Sequence, residues 1–215
     1  MQPLTNEICF PPVKTATADG LLAYGGDLSP ERLLLAYQSG IFPWFEDGQP
    51  ILWWSPNPRM VLFPEELIVS KSMRKIINNN SFEVTINQNF REVISNCRQI
   101  KRSGQNGTWI TSEMIEAYCR LNELGIAKSV EVWRNGNLVG GLYGIDLGHV
   151  FCGESMFSKV SNASKVAFIS LVDYLKVNKY KLLDCQVHND HLETLGCRKI
   201  PRTAFLEILK GNNLQ

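Results

Sequence analysis

The chain predicts an α+β protein whose larger part is a mixed β-sheet, and three observations carry that expectation. Between His149 and Asp190 an alternating apolar run, Val150 to Phe157, is followed by an amphipathic segment and a second apolar run, Lys181 to Val187. A strand, crossover helix, strand unit of this kind lays its two strands parallel. Just before it, Asn135-Gly136 and Asp146-Leu147-Gly148 separate alternating runs, so antiparallel hairpins lead into the parallel pair. The N-terminal third differs in texture, with one short helix and a Trp- and Pro-rich stretch, and reads as a smaller α/β domain. The boundary is placed near residue 70, dividing the chain into 1–70 and 71–215.

The elements follow in order. Residues 1 to about 20 contain Pro11 and Pro12 and no periodicity, and read as an extended lead-in. Turn chemistry at Asp19-Gly20 and Gly25-Gly26-Asp27 brackets the apolar Leu21-Leu22-Ala23-Tyr24. Ser29 then caps a helix that has Pro30 at its first position and stops at Gly40. From Ile41 to Pro64 the chain holds Trp44, Trp53 and Trp54 among prolines. These rings either cap a small core or leave a face open for stacking, and Trp44, just past a helix end, is the better candidate for exposure.

Ser70 caps a short helix with a basic face of Lys71, Arg74 and Lys75. A strand at 82–87 and a helix from Asn89 follow, then the basic, Gly-rich loop that carries Lys101, Arg102 and Trp109. Thr111 caps a helix that Gly125 ends. Beyond the crossover unit, Asn189 to Gly196 reads as a short helix and Pro201 to Leu209 as a closing strand.

Composition narrows the function. Twenty-two basic and 21 acidic residues leave a net charge of +1, which argues against wrapping long nucleic acid and leaves room for a short local contact. Six cysteines without framework spacing fit reduced thiols and a cytoplasmic location. The N-terminus has no signal-peptide pattern, and no apolar run approaches the roughly 18 residues of a membrane span.

Both strands of the parallel pair carry acid inside apolar sequence. Alternation places Cys152, Glu154 and Met156 on one face of the first strand, and Asp184 and Gln186 on one face of the second. Two carboxylates and an amide then converge beside a thioether, and the desolvation cost of unpaired strand acids points to a site.

Hairpins, a parallel unit, a helix and a closing strand form the order of the acetyltransferase-like (GNAT) sheet, whose parallel strands splay so that substrates meet in the gap. Acyl-CoA users place a Gly-rich pyrophosphate loop at the start of the crossover helix. Here Ser158 to Lys165 stands in its place, which calls for another carrier of an activated acyl group.

Six motifs then resemble the leucyl/phenylalanyl-tRNA protein transferase family: Gly25 to Pro30, Gly40 to Phe45, Trp53 to Pro56, Gly107 to Ile110, Gly153 to Phe157 and Asp184 to Val187. The resemblance spans about residues 10 to 208. It implies transfer of Leu, Phe or Met from aminoacyl-tRNA to proteins whose N-terminal residue is Arg or Lys, marking them for degradation. The ester donor is already activated, so neither ATP, metal nor other cofactor is expected.

For the site, the resemblance implies Trp44, Trp109 and Tyr118 beside the terminal adenosine, while Tyr37 is either a further wall or core. Asp184 either accepts the amine proton or only orients the peptide, Gln186 bridges by hydrogen bonds, and Glu154 reads the basic acceptor. Met156 and Leu142 line a slot for the transferred side chain, Leu142 standing where family members can carry Met. Phosphate contacts fall to Lys71, Arg74, Lys75, Lys101 and Arg102.

Three rivals stand beside this reading: an acyl-CoA-dependent acetyltransferase, a non-catalytic module that binds tRNA 3′ ends, and a zinc site at Cys185, His188, His191 and Cys197.

Overall fold

The computed structural model describes residues 2–100 and 109–211. Lys101 and Arg102 lie outside the described residues. Two sheets organise the chain. The first takes β1 (Gln2–Leu4), β2 (Leu21–Gly25), β3 (Phe42–Pro43) and β4 (Leu52–Trp54) in the order β1-β2-β4-β3, with helix α1 (Pro30–Gln38) between β2 and β3. Ser29 caps α1 by accepting from the Arg32 amide. The Trp-rich stretch thus supplies two short strands to this sheet. The Trp53 ring is fully buried with its indole N–H on the Gly25 carbonyl, while Trp44 keeps 41% of its surface exposed.

The larger sheet has seven strands. Its members are β5 (Arg59–Leu62), β6 (Glu83–Ile86), β7 (Ala127–Arg134), β8 (Asn137–Asp146), β9 (Val150–Ser158), β10 (Leu182–Gln186) and β11 (Arg198–Ile200), ordered β11-β5-β10-β9-β8-β7-β6. The changeover between sheets falls between Trp54 and Arg59, ahead of the boundary expected near residue 70. Antiparallel β7, β8 and β9 lead into β10, which runs parallel to β9 in the acetyltransferase-like order.

Helices cover both faces. Helix α5 (Ala163–Val177) makes the crossover and packs with Met73 of α2 (Lys71–Asn78) and Leu192 of α6 (Asp190–Glu193) on one face. Helices α3 (Phe90–Gln99) and α4 (Ser112–Glu123), α1 and the small sheet share a single core on the other. Close approach fixes one contact: a Cβ at Gly140 would lie 2.5 Å from that of Ala163, so only glycine lets α5 sit so near β8.

The closing strand expected at Pro201 to Leu209 is instead a helix, α7 (Arg202–Lys210), with β11 just before it. Phe205 and Leu209, four residues apart, bury one side of α7, so the apolar spacing of this segment is helical. Pro201 stands at the turn from strand to helix.

Candidate active site

The parallel strands part beside Glu154 and Gln186. Pairing of β10 with β9 ends at Asp184 opposite Cys152, while β9 runs on to Ser158. Each strand is also bulged. On β9, Ser155 faces Tyr143 and Gly153 faces Gly144, leaving Glu154 as the inserted residue. On β10 the register with β5 shifts between Asp184 and Gln186, and Gln186 adopts φ 58°. Bulges re-aim side chains. The shared face expected for Cys152 and Met156 is therefore lost, since Cys152 packs with the α4 side of the core and Met156 with the α5 side.

The re-aimed groups meet. Gln186 Nε2 donates to Glu154 Oε1 at 3.1 Å, and the Tyr118 hydroxyl donates to Glu154 Oε2 at 3.2 Å. Behind Tyr118 its hydroxyl pairs with that of Tyr37, and both rings are buried. Burial pushes the Glu154 carboxyl up to about 8, helped by the Asp184 charge and opposed by the Tyr37 and Tyr118 hydroxyls and by Arg59. Burial and the Glu154 charge also raise both phenols, so they stay protonated donors.

Asp184 stands apart from the solvent. It has no exposed surface, and its Oδ1 and Oδ2 accept from Arg59 Nε at 2.8 Å and Nη2 at 2.7 Å. Oδ1 also accepts the Gln186 amide N–H at 3.0 Å. Arg59 is the residue the sequence reading missed. Its one signal is an arginine heading the apolar run Met60 to Phe63, where a buried cation requires a partner.

A cavity of about 610 Å³ opens over this cluster. Trp44, Trp109, Leu142, Glu154, Met156 and Gln186 border it, and Phe168 and Leu171 of α5 and Leu183 of β10 add an apolar wall. Tyr37, Tyr118 and Asp184 lie behind that lining, which makes the two tyrosines hydrogen-bond partners of the site and places their rings away from a stacking position. Lys71, Arg74 and Lys75 are exposed on α2 and do not line the cavity.

The four residues with metal-like spacing do not converge. Cys185 and Cys197 have their sulfurs 3.8 Å apart, while His188 faces Asp190 and Glu193. Those last three are the one group of candidate ligands gathered among the described residues, and all are exposed.

Comparison with known proteins is decisive at this point. The family model described as leucyl/phenylalanyl-tRNA protein transferase matches residues 61–210, and the model of its N-terminal domain matches 26–57. The chain belongs to the leucyl/phenylalanyl-tRNA protein transferase family. It is 71% identical over 208 residues to the leucyl/phenylalanyl-tRNA–protein transferase of Flavobacterium johnsoniae, covering 97% of this chain and 98% of that one. It is 68% identical over 207 residues to the enzyme of the same name from Flavobacterium psychrophilum, at 96% and 98% coverage. A solved GCN5-related N-acetyltransferase-like protein from Streptococcus suis is 14% identical, covers 80% of this chain and 65% of its own, and has a TM-score of 0.39. Membership makes this chain a transferase, and the matched segments contain every bordering residue of the cavity named above. Among the described residues no helix is long and apolar enough to cross a membrane.

Proposed function

We propose that the cavity transfers Leu, Phe or Met from the 3′ end of an aminoacyl-tRNA to the α-amine of a protein that begins with Arg or Lys, in the cytoplasm. The observation that carries this reading is the Gln186–Glu154 pair, one carboxyl near neutrality held by one amide at the floor of a cavity with aromatic and aliphatic walls. The stacking surfaces are Trp44 and Trp109, which suit the terminal adenine. Met156, Leu142, Phe168 and Leu183 suit an unbranched or γ-branched side chain and crowd a β-branched one.

The α-amine of the acceptor has a reference pKa of about 7.7–8.0 and must lose a proton to attack. Glu154 is matched to it, since its carboxyl at about 8 exchanges a proton with such an amine at little cost in either direction. A cationic N-terminus entering the site draws Glu154 toward its carboxylate, so binding a basic acceptor and preparing the base are one event.

Glu154 takes one proton from the bound ammonium, and the neutral amine nitrogen then attacks the ester carbonyl. Gln186 spends one amide N–H on Glu154 and has a second to offer the oxyanion. Collapse of the tetrahedral intermediate breaks the ester bond as Glu154 returns that proton to the leaving ribose oxygen, and the second proton lost by the nitrogen passes to the Glu154 carboxylate so regenerated and from it to solvent. Asp184, with both oxygens engaged, orients this machinery and does not touch the amine.

The test is incubation with labelled leucyl-tRNA and two peptides differing only in an N-terminal Arg or Ala. Label passes to the Arg peptide alone; equal labelling of both, or full transfer by Glu154→Gln, refutes the reading.

A further inference from the structure

The Arg59–Asp184 pair is costly where it stands. Both side chains are buried, at 1% and 0% exposure, and desolvating two ions is poorly justified by stability, because packed apolar residues do as well. What the pair does supply is geometry. The guanidinium plane is held by Phe42 and Phe205, whose ring centroids lie 4.8 and 4.7 Å from its central carbon. Its third nitrogen, Nη1, donates to the Gly40 carbonyl at 3.2 Å. A fork clamped by two rings and a carbonyl cannot turn, so the carboxylate it grips in two places cannot turn either.

That carboxylate in turn accepts the amide N–H of Gln186, whose φ of 58° is a left-handed conformation that a non-glycine residue adopts only when its surroundings impose it. The same φ carries the Gln186 side chain away from an extended strand and toward Glu154.

We propose that Arg59 is a positioning residue of the transfer reaction: through Asp184 it holds the Gln186 backbone in the one conformation that delivers the Gln186 amide to Glu154. The inference rests on the functional reading above and adds to it the group that sets the amide's aim. Arg59 reaches neither substrate nor the reacting atoms, and it does not line the cavity. Lysine keeps the charge at this position and loses the two-pronged grip, so charge and geometry are separable by one substitution.

Transfer from leucyl-tRNA to the Arg peptide is measured for Arg59→Lys, Gln186→Ala, their double variant and, as a control, Arg91→Met, which removes an exposed ion pair with Glu116. Rates are expressed per folded enzyme, and affinity for uncharged tRNA is measured separately. Arg59→Lys lowers kcat at least about 10-fold with tRNA affinity unchanged, and adding it to Gln186→Ala costs nothing further, because a residue acting through Gln186 has nothing left to position. Arg91→Met retains full activity.

Full kcat in Arg59→Lys overturns the proposal, as does a loss that multiplies with that of Gln186→Ala. If Arg59→Lys does not fold, Asp184→Asn is carried through the same cycle, with the same two outcomes. Full transfer by Gln186→Ala sinks the functional reading and the proposal with it, whereas loss in Gln186→Ala beside an intact Arg59→Lys sinks the proposal alone.

Discussion

Glu154→Gln separates what this carboxyl does for catalysis from what it costs the fold. Burial raises the folded-state pKa from 4.5 to about 8. For an acid whose folded pKa lies above its unfolded value, the folded protein binds the extra proton, so stability is highest at low pH and falls as pH rises from 4.5 towards 8 and beyond. Linkage with these two values removes about 3 kcal/mol between pH 5.5 and pH 8.5, and the side of Glu154 open to the cavity reduces this to about 2–3 kcal/mol. Glutamine does not ionise and keeps an acceptor for Tyr118, so its variant escapes the loss. Thermal unfolding of the two proteins across this pH range therefore shows the advantage of Glu154→Gln over the parent growing by about 4–12 °C towards alkaline pH. Transfer activity of the same variant falls at least about 10²-fold. A stability difference that does not change with pH refutes the account of Glu154 as a desolvated acid, whatever its activity.

Four further outcomes follow from the cavity walls, the core and the surface. Trp44→Ala weakens binding of a short oligonucleotide ending in the tRNA 3′ sequence by about 1–3 kcal/mol in a calorimetric titration, through lost stacking. Trp53→Ala, in the core, instead lowers the unfolding free energy by about 3–5 kcal/mol. Met156→Ala and Leu142→Ala change the ranking of Leu, Phe and Met donors by no more than about 1–3 kcal/mol in kcat/KM ratios, with the sum over donors much less affected. The salt dependence of tRNA affinity corresponds to only a few phosphate contacts, and changing Lys71, Arg74 and Lys75 together to Gln lowers the slope by up to about 3; an unchanged slope removes α2 from the tRNA path.

Periodicity alone determined much of this protein. Alternation on Val150 to Phe157 and Lys181 to Val187 with a helix between them made the parallel pair legible, and Asn-Gly and Asp-Leu-Gly turns made the hairpins so, because these signals act over a few residues. The acids on those strands marked Glu154 and Asp184 for the same local reason: a carboxylate inside an apolar run must find a partner. Helix α7 was misread where Phe205, Leu206, Ile208 and Leu209 satisfy more than one period, and the core decided between them by burying Phe205 and Leu209. Tertiary structure alone decided how these groups are placed. A bulge is a mismatch between two strands, so no single strand's sequence announces that Glu154 will be the inserted residue or that Gln186 will turn toward it. The partner of Asp184 lies 125 residues away, and only folding brings Arg59 to it, closing both carboxylate oxygens and leaving Glu154 as the acid that faces the cavity.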